Sequence, residues 1–191
     1  MTMKKMVKKV LACALAAVLT VGAAGSAMAA TSSPTTSTKP VAKPNVTATN
    51  GSKVDTKKDG TATMNKIPAA QAKKKQVTVS STVTVNGVKY KVTTVDARAF
   101  LKATKATTIT LPATITKINK NAFTGAKKLK TLKFKSKKVA SMTIQKGAFK
   151  GLSTKKMTIR VSKSLTKKQY NRLVKKLKAA GFKGKVKKNL A

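Results

Sequence analysis

The chain has 191 residues, 43 of them Lys or Arg, with three acidic residues (Asp55, Asp59, Asp96), no Glu and no His. That length suits one modest domain with extensions, and a formal charge of +40 predicts a positive potential that attracts polyanions well beyond what solubility needs. The only cysteine is Cys13 and the carboxylates are scattered, so acid–base pairs, metal clusters and a thiol nucleophile cannot be assembled; the expectation is a non-enzyme with no cofactor.

Residues 1–29 read as a signal peptide. Lys4, Lys5, Lys8 and Lys9 form its basic part, Val10 to Val21 its apolar core, and Ala27-Met28-Ala29 a small-x-small cleavage site. The alternative is an uncleaved anchor, although Ala, Gly and Ser make the stretch only weakly apolar. Cleavage would remove Cys13 and four lysines, leaving 39 cations against three carboxylates, a charge of +36 and no disulfide framework. Residues 30–75 are rich in Thr, Ser, Lys and Pro without an apolar period, which predicts a disordered linker.

Order is expected from Gln76. Thr82-Val-Thr-Val85 and Val88-Lys-Tyr-Lys-Val92 alternate about Asn86-Gly87. This is the signal of a hairpin with a type I′ turn, because both central residues must adopt positive φ. The hairpin is assigned as an N-terminal cap.

Three similar segments follow. Val95, Ile118 and Ile144 each stand five residues before Phe100, Phe123 and Phe149, every Phe is preceded by Ala, and the three Phe are 23 and 26 residues apart. Alternating runs come next: Ile109 and Leu111, then Leu132 and Phe134, then Met157, Ile159 and Val161. A period in the twenties is that of a solenoid, since one such unit cannot bury its own apolar side. The predicted core is Val95, Phe100, Ile109, Leu111, Ile118, Phe123, Leu132, Phe134, Ile144, Phe149 and Ile159.

The pattern Ile-x-x-Ile-x-x-x-Ala-Phe-x-Gly followed by Leu and an alternating strand resembles the BspA-type leucine-rich repeats of bacterial surface proteins. Ile115, Ile118, Ala122, Phe123, Gly125, Leu129, Leu132 and Phe134 carry the best match, and the resemblance covers residues 82–162. The first repeat has Lys102 in place of the Gly, and the third keeps Gly151 with extra residues around Val139 to Met142. The resemblance implies a mainly β, α/β repeat solenoid of about three repeats and a role in adhesion to host or matrix proteins.

Residues 164–191 are read as a C-terminal capping helix and basic tail. Thr166 and Gln169 have capping-box spacing, Leu165 and Tyr170 that of a hydrophobic staple, and Tyr170, Leu173, Val174 and Leu177 form one apolar stripe. Gly181 and Phe182 fit a Schellman ending, and Lys176 is placed with Lys175 and Lys178 on the polar face. A basic amphipathic helix also suits a membrane surface, but a narrow stripe beside a solenoid end favours the cap.

Strand alternation nominates an outward face. Aligning Leu111, Phe134 and Ile159 makes Thr110, Lys133 and Thr158 one column and Pro112, Lys135 and Arg160 the next. The candidate binding face is therefore Thr110, Lys133, Lys135, Thr158 and Arg160; an ordinary solvated sheet is the alternative. The expected function is a secreted or cell-wall-associated binding module for a surface protein or glycan. The rivals are a diffuse electrostatic binder of anionic wall polymers such as teichoic acid and a structural fragment. Sequence-specific nucleic-acid binding is not expected, because the Phe residues are phased as core and only Tyr90 and Tyr170 remain as stacking platforms.

Overall fold

In the computed structural model, which describes residues 39–190, each Ala-Phe segment turns the chain from a strand of one sheet into a strand of a second. The strands are β1 (Lys43–Thr47), β2 (Lys53–Thr56), β3 (Thr61–Lys66), β4 (Gln76–Thr78), β5 (Thr82–Val85), β6 (Val88–Val95), β7 (Thr108–Leu111), β8 (Lys117–Ile118), β9 (Thr131–Phe134), β10 (Thr143–Ile144), β11 (Thr158–Ser162) and β12 (Lys185–Leu190). Two α-helices, α1 (Ala69–Ala72) and α2 (Lys167–Ala179), and two 3-10 turns at Val139–Ser141 and Thr154–Lys156 complete the elements. The first sheet runs β1-β2-β3-β6-β8-β10, with β5 also paired to β6; the second runs β12-β11-β9-β7-β4. Every pairing in the second sheet is parallel. The expected signal peptide and residues 30–38 lie outside the described residues.

The repeat produces two apolar ladders. In the first sheet, Val54, Met64, Val95, Ile118 and Ile144 are register partners in succession. In the second, the rungs are Val77, Ile109, Leu132, Ile159 and Val186. The Phe residues fill the corner between them. Phe100 and Phe123 stack at 5.3 Å and 10°, Phe123 and Phe149 at 5.4 Å and 7°, and Phe182 closes the row at 5.4 Å and a tilt of 53°. Burial of each ring is worth about 1.5–3 kcal/mol, and stacked neighbours add about 0.5–1.5 kcal/mol. Of the predicted core, Ile144 alone is half-buried, because β10 ends its sheet.

At Phe100, Phe123 and Phe149 the corner needs a left-handed residue two places before the ring. Arg98, Asn121 and Gly147 occupy that place with φ of +59°, +59° and +78°. Their N–H groups donate along the stack, Arg98 to Asn121 O, Asn121 to Gly147 O and Gly147 to Ala180 O, at 3.0, 3.0 and 3.1 Å. Asn and Gly adopt this conformation readily; an arginine does not.

Over its described part, the expected linker at 30–75 is corrected. β1, β2 and β3 form an antiparallel ribbon that continues the first sheet through a parallel β3–β6 pairing. Val54, Thr56, Ala62 and Met64 face inward, but Thr and Ala make this period of two nearly invisible in a hydropathy reading. The legible signal was Asp59-Gly60, a hairpin dipeptide. Its Asp59 accepts from the Thr61 N–H at 2.9 Å and hydroxyl at 2.7 Å, and Gly60 has φ +74°. The ordering cost of this segment is offset by docking on an existing strand edge.

The β5–β6 hairpin has the expected turn, with φ of +49° at Asn86 and +78° at Gly87. It is not the terminal element, because β6 carries β3 on its other side. The basic tail is also corrected, since Lys185–Leu190 is β12, parallel to β11. Helix α2 has its full capping box. It ends in a Schellman motif, with Phe182 N–H to Leu177 O at 2.9 Å and Gly181 N–H to Lys178 O at 3.0 Å.

Candidate functional site

The outward side chains of the second sheet form two rows across its strands. Register partners give one row as Thr78, Thr110, Lys133, Arg160 and Lys187, and the other as Gln76, Thr108, Thr131, Thr158 and Lys185. The expected pairing of Thr110 with Lys133 holds. The third strand is displaced by two residues from the expected alignment: Arg160, not Thr158, stands beside Lys133. The expected alignment counts the third repeat one residue short before its strand, Ile159 standing ten residues after Phe149 where Phe134 stands eleven after Phe123. The register makes it one residue longer instead, ten against the nine from Phe123 to Leu132, and the 3-10 turn at Thr154–Lys156 lies in that longer segment. Lys135 lies past the end of β9, exposed, its N–H donating to Leu111 O at 3.1 Å; it joins neither row.

Lys133, Arg160 and Lys187 are thus cross-strand neighbours on three adjacent strands. Strands lie about 4.8 Å apart, and like charges directly opposite one another destabilise a sheet. No carboxylate belongs to these rows. The basic end is β9, β11 and β12; the β4 and β7 end is Gln and Thr. Lys187 and Lys185 complete the two rows, one each, and are absent from the sequence-based face because the tail was given no strand; the alternation Lys185-Val-Lys187 was the available signal.

Residues 78–188 match the family described as BspA type leucine rich repeat region (6 copies). The chain belongs to that family. The fold agrees: a leucine rich cell surface protein from Faecalibacterium prausnitzii A2-165, of known crystal structure, superposes with a TM-score of 0.50 at 24% identity over 60% of this chain. The chain spans 29% of that protein's length, and the likeness is one of fold. No curated protein matches the chain.

In this leucine-rich-repeat chain, the three carboxylates are engaged by neutral donors. Asp55 Oδ1 accepts from the Asn45 N–H and from Asn65 Nδ2, both at 2.6 Å, and Asp96 Oδ1 accepts from Asn119 Nδ2 at 2.6 Å. The Thr61 hydroxyl, followed by the Thr61 backbone N–H, holds the Asp59 carboxyl below its ordinary value of 3.8. All seven aromatic side chains of this repeat protein are buried or half-buried. Tyr90 lies inside, its hydroxyl accepting from the Val41 N–H at 2.8 Å, and the Tyr170 hydroxyl donates to Val186 O at 2.8 Å. The outer surface of the repeats therefore offers cations, hydroxyls and amides without aromatic platforms for stacking.

Among the described residues, no group of three or more His, Cys, Asp or Glu is placed to hold a metal. No described helix is long and apolar enough to cross a membrane. Lys176 departs from the polar face expected for it. It is half-buried, and its ammonium donates to Ala140 O at 2.8 Å and Met142 O at 2.9 Å, tying α2 to the 3-10 turn at Val139–Ser141.

Proposed function

We propose that this chain is a non-enzymatic, surface-associated leucine-rich-repeat module that holds an anionic polymer across the strands of its second sheet. The carrying observation is the in-register row Lys133, Arg160 and Lys187. Three like charges on adjacent strands are unfavourable for the free sheet, and a polyanion lying across them relieves the repulsion while releasing its own counterions. Thr131 and Thr158, in the neighbouring row, supply hydroxyls to the same ligand. Family membership supports a place outside the cell, as does the surface protein with the same fold. Teichoic acid and acidic glycans are the polymer classes that fit. In this reading three central repeats present the face. The β1–β3 ribbon with the hairpin covers one end and α2 with β12 the other.

The distribution of the remaining lysines favours a second reading, in which net charge alone binds the polymer. Titration of heparin into the chain and into a Lys133→Gln/Arg160→Gln/Lys187→Gln variant separates the two. A control variant loses Lys127, Lys128 and Lys155 instead. The row reading expects the first variant to lose at least about tenfold more affinity than the control; equal losses would establish diffuse binding. Cell fractionation at low and high salt tests the location, which is wall-bound and salt-released on this reading.

A further inference from the structure

A cleft of about 260 Å³ is lined by residues of the first corner and of β2 and β3, and by none of the residues of the two rows. Ile67 and Ala99 form its apolar floor, Leu101 is one wall, and Lys53, Lys66, Arg98 and Lys102 stand around it; no carboxylate lines it. Three features set this place apart. Leu101 is 46% exposed, one of two large apolar residues so exposed among the described residues. Lys53 and Lys66 are direct register partners, a second like-charge pair. Arg98 holds a left-handed backbone at φ +59°, where the equivalent positions carry Asn121 and Gly147.

The Arg98 backbone is the more telling. The corner accepts glycine or asparagine at this place, and either adopts positive φ more readily than arginine. A bulky residue kept in an unfavourable conformation points to use of its side chain. A guanidinium matches carboxylate geometry with paired donors. Leu101 and the floor add what a purely ionic ligand could not exploit, namely contact for an apolar group.

We propose that this cleft docks an acidic peptide segment that presents one apolar side chain between carboxylates. The apolar side chain packs on Leu101, Ile67 and Ala99. The flanking carboxylates meet Arg98 and the three lysines. This ligand and this surface are distinct from the polymer and the sheet face proposed above, and either proposal can fail alone.

The test uses the purified full chain and a fluorescent probe peptide of sequence Asp-Glu-Leu-Glu-Asp, with a control peptide carrying Ser for Leu. Binding is read by anisotropy at physiological salt, where screening acts over about 8 Å. The Leu peptide is expected to bind about tenfold tighter than the Ser peptide, and Leu101→Ser to abolish that difference. Arg98→Gly is expected to weaken binding about tenfold while raising the melting temperature, opposite signs that a purely structural residue would not give. Arg98→Lys should retain part of the affinity, and Lys155→Gln, at an exposed position outside both the cleft and the rows, should leave it unchanged. Equal binding of the two peptides, an equal loss with Lys155→Gln, or a lower melting temperature for Arg98→Gly would overturn the proposal.

Discussion

Gly125 lies directly against the backbone of Leu101: a Cβ built at 125 would fall 2.2 Å from the Leu101 carbonyl oxygen and 2.5 Å from its Cα. Two successive corners of the stack touch there through main chain alone, so their spacing leaves no room for a side chain. Gly125 also has φ +100°.

Gly125→Ala should therefore destabilise by about 2–4 kcal/mol, combining left-handed strain with an overlap that only main-chain movement can relieve. Gly151→Ala is the control. It has φ +86° but nothing within 4 Å of an added Cβ, so only the strain of about 1–2 kcal/mol applies. Denaturant melts of both variants check the ranking, and equal losses would show that the corners can separate.

Phe123→Ala should cost about 3–5 kcal/mol, because the ring is fully buried with a stacked neighbour on each face. Phe182→Ala should cost less, since Phe182 has a single tilted ring neighbour. Equilibrium unfolding compares them; a shift under about 1 kcal/mol for Phe123→Ala would remove it from the core.

Lys176→Met should destabilise by about 1–2 kcal/mol through loss of two charged hydrogen bonds to main-chain carbonyls. Its effect should appear as faster amide exchange at Val139–Ser141. Lys175→Met, on an exposed position of the same helix, should be near neutral. Hydrogen exchange by mass spectrometry distinguishes the two.

Acid should act on the Asp59 turn in one direction only. The folded carboxyl titrates below its ordinary 3.8. Its contribution to stability is therefore complete above that value and is lost as pH falls through the lowered one. The difference in stability between the native chain and Asp59→Asn should be constant above about pH 5 and shrink below about pH 4. Between about pH 5 and 7 no histidine is present to titrate, so polyanion affinity should be flat in pH while falling steeply with salt. Isothermal titration across both variables checks this.

The repeat was legible because Phe100, Phe123 and Phe149 are large, few, each preceded by Ala and spaced in the twenties; a residue that must fill the same corner in successive turns leaves a mark that composition cannot hide. The same holds for Asn86-Gly87 and for Thr166 with Gln169, whose local geometry depends on those residue types. The β1–β3 ribbon was not legible, because Thr56 and Ala62 sit inside without being strongly apolar and because β3 is held by β6, which is distant in sequence. The candidate face was half legible. Alternation identified which side chains point outward, but the partner of Lys133 depends on one additional residue in the third corner, and no alternation pattern records that.

The outer edge of β12 and the outer edge of β4 close the two sides of the second sheet, and each is an open row of backbone donors and acceptors among the described residues. A parallel ladder of this kind could in principle add another molecule head to tail, and a contact that never closes on itself grows into a fibre. Lys185 and Lys187 stand exposed on the edge strand β12, and Lys73, Lys74 and Lys75 stand exposed immediately before the other edge. A second copy approaching in register would bring these two lysine clusters together, and their mutual repulsion opposes that contact. A polyanion that neutralised the clusters would weaken this opposition, so anionic polymer would favour association of the chain with itself.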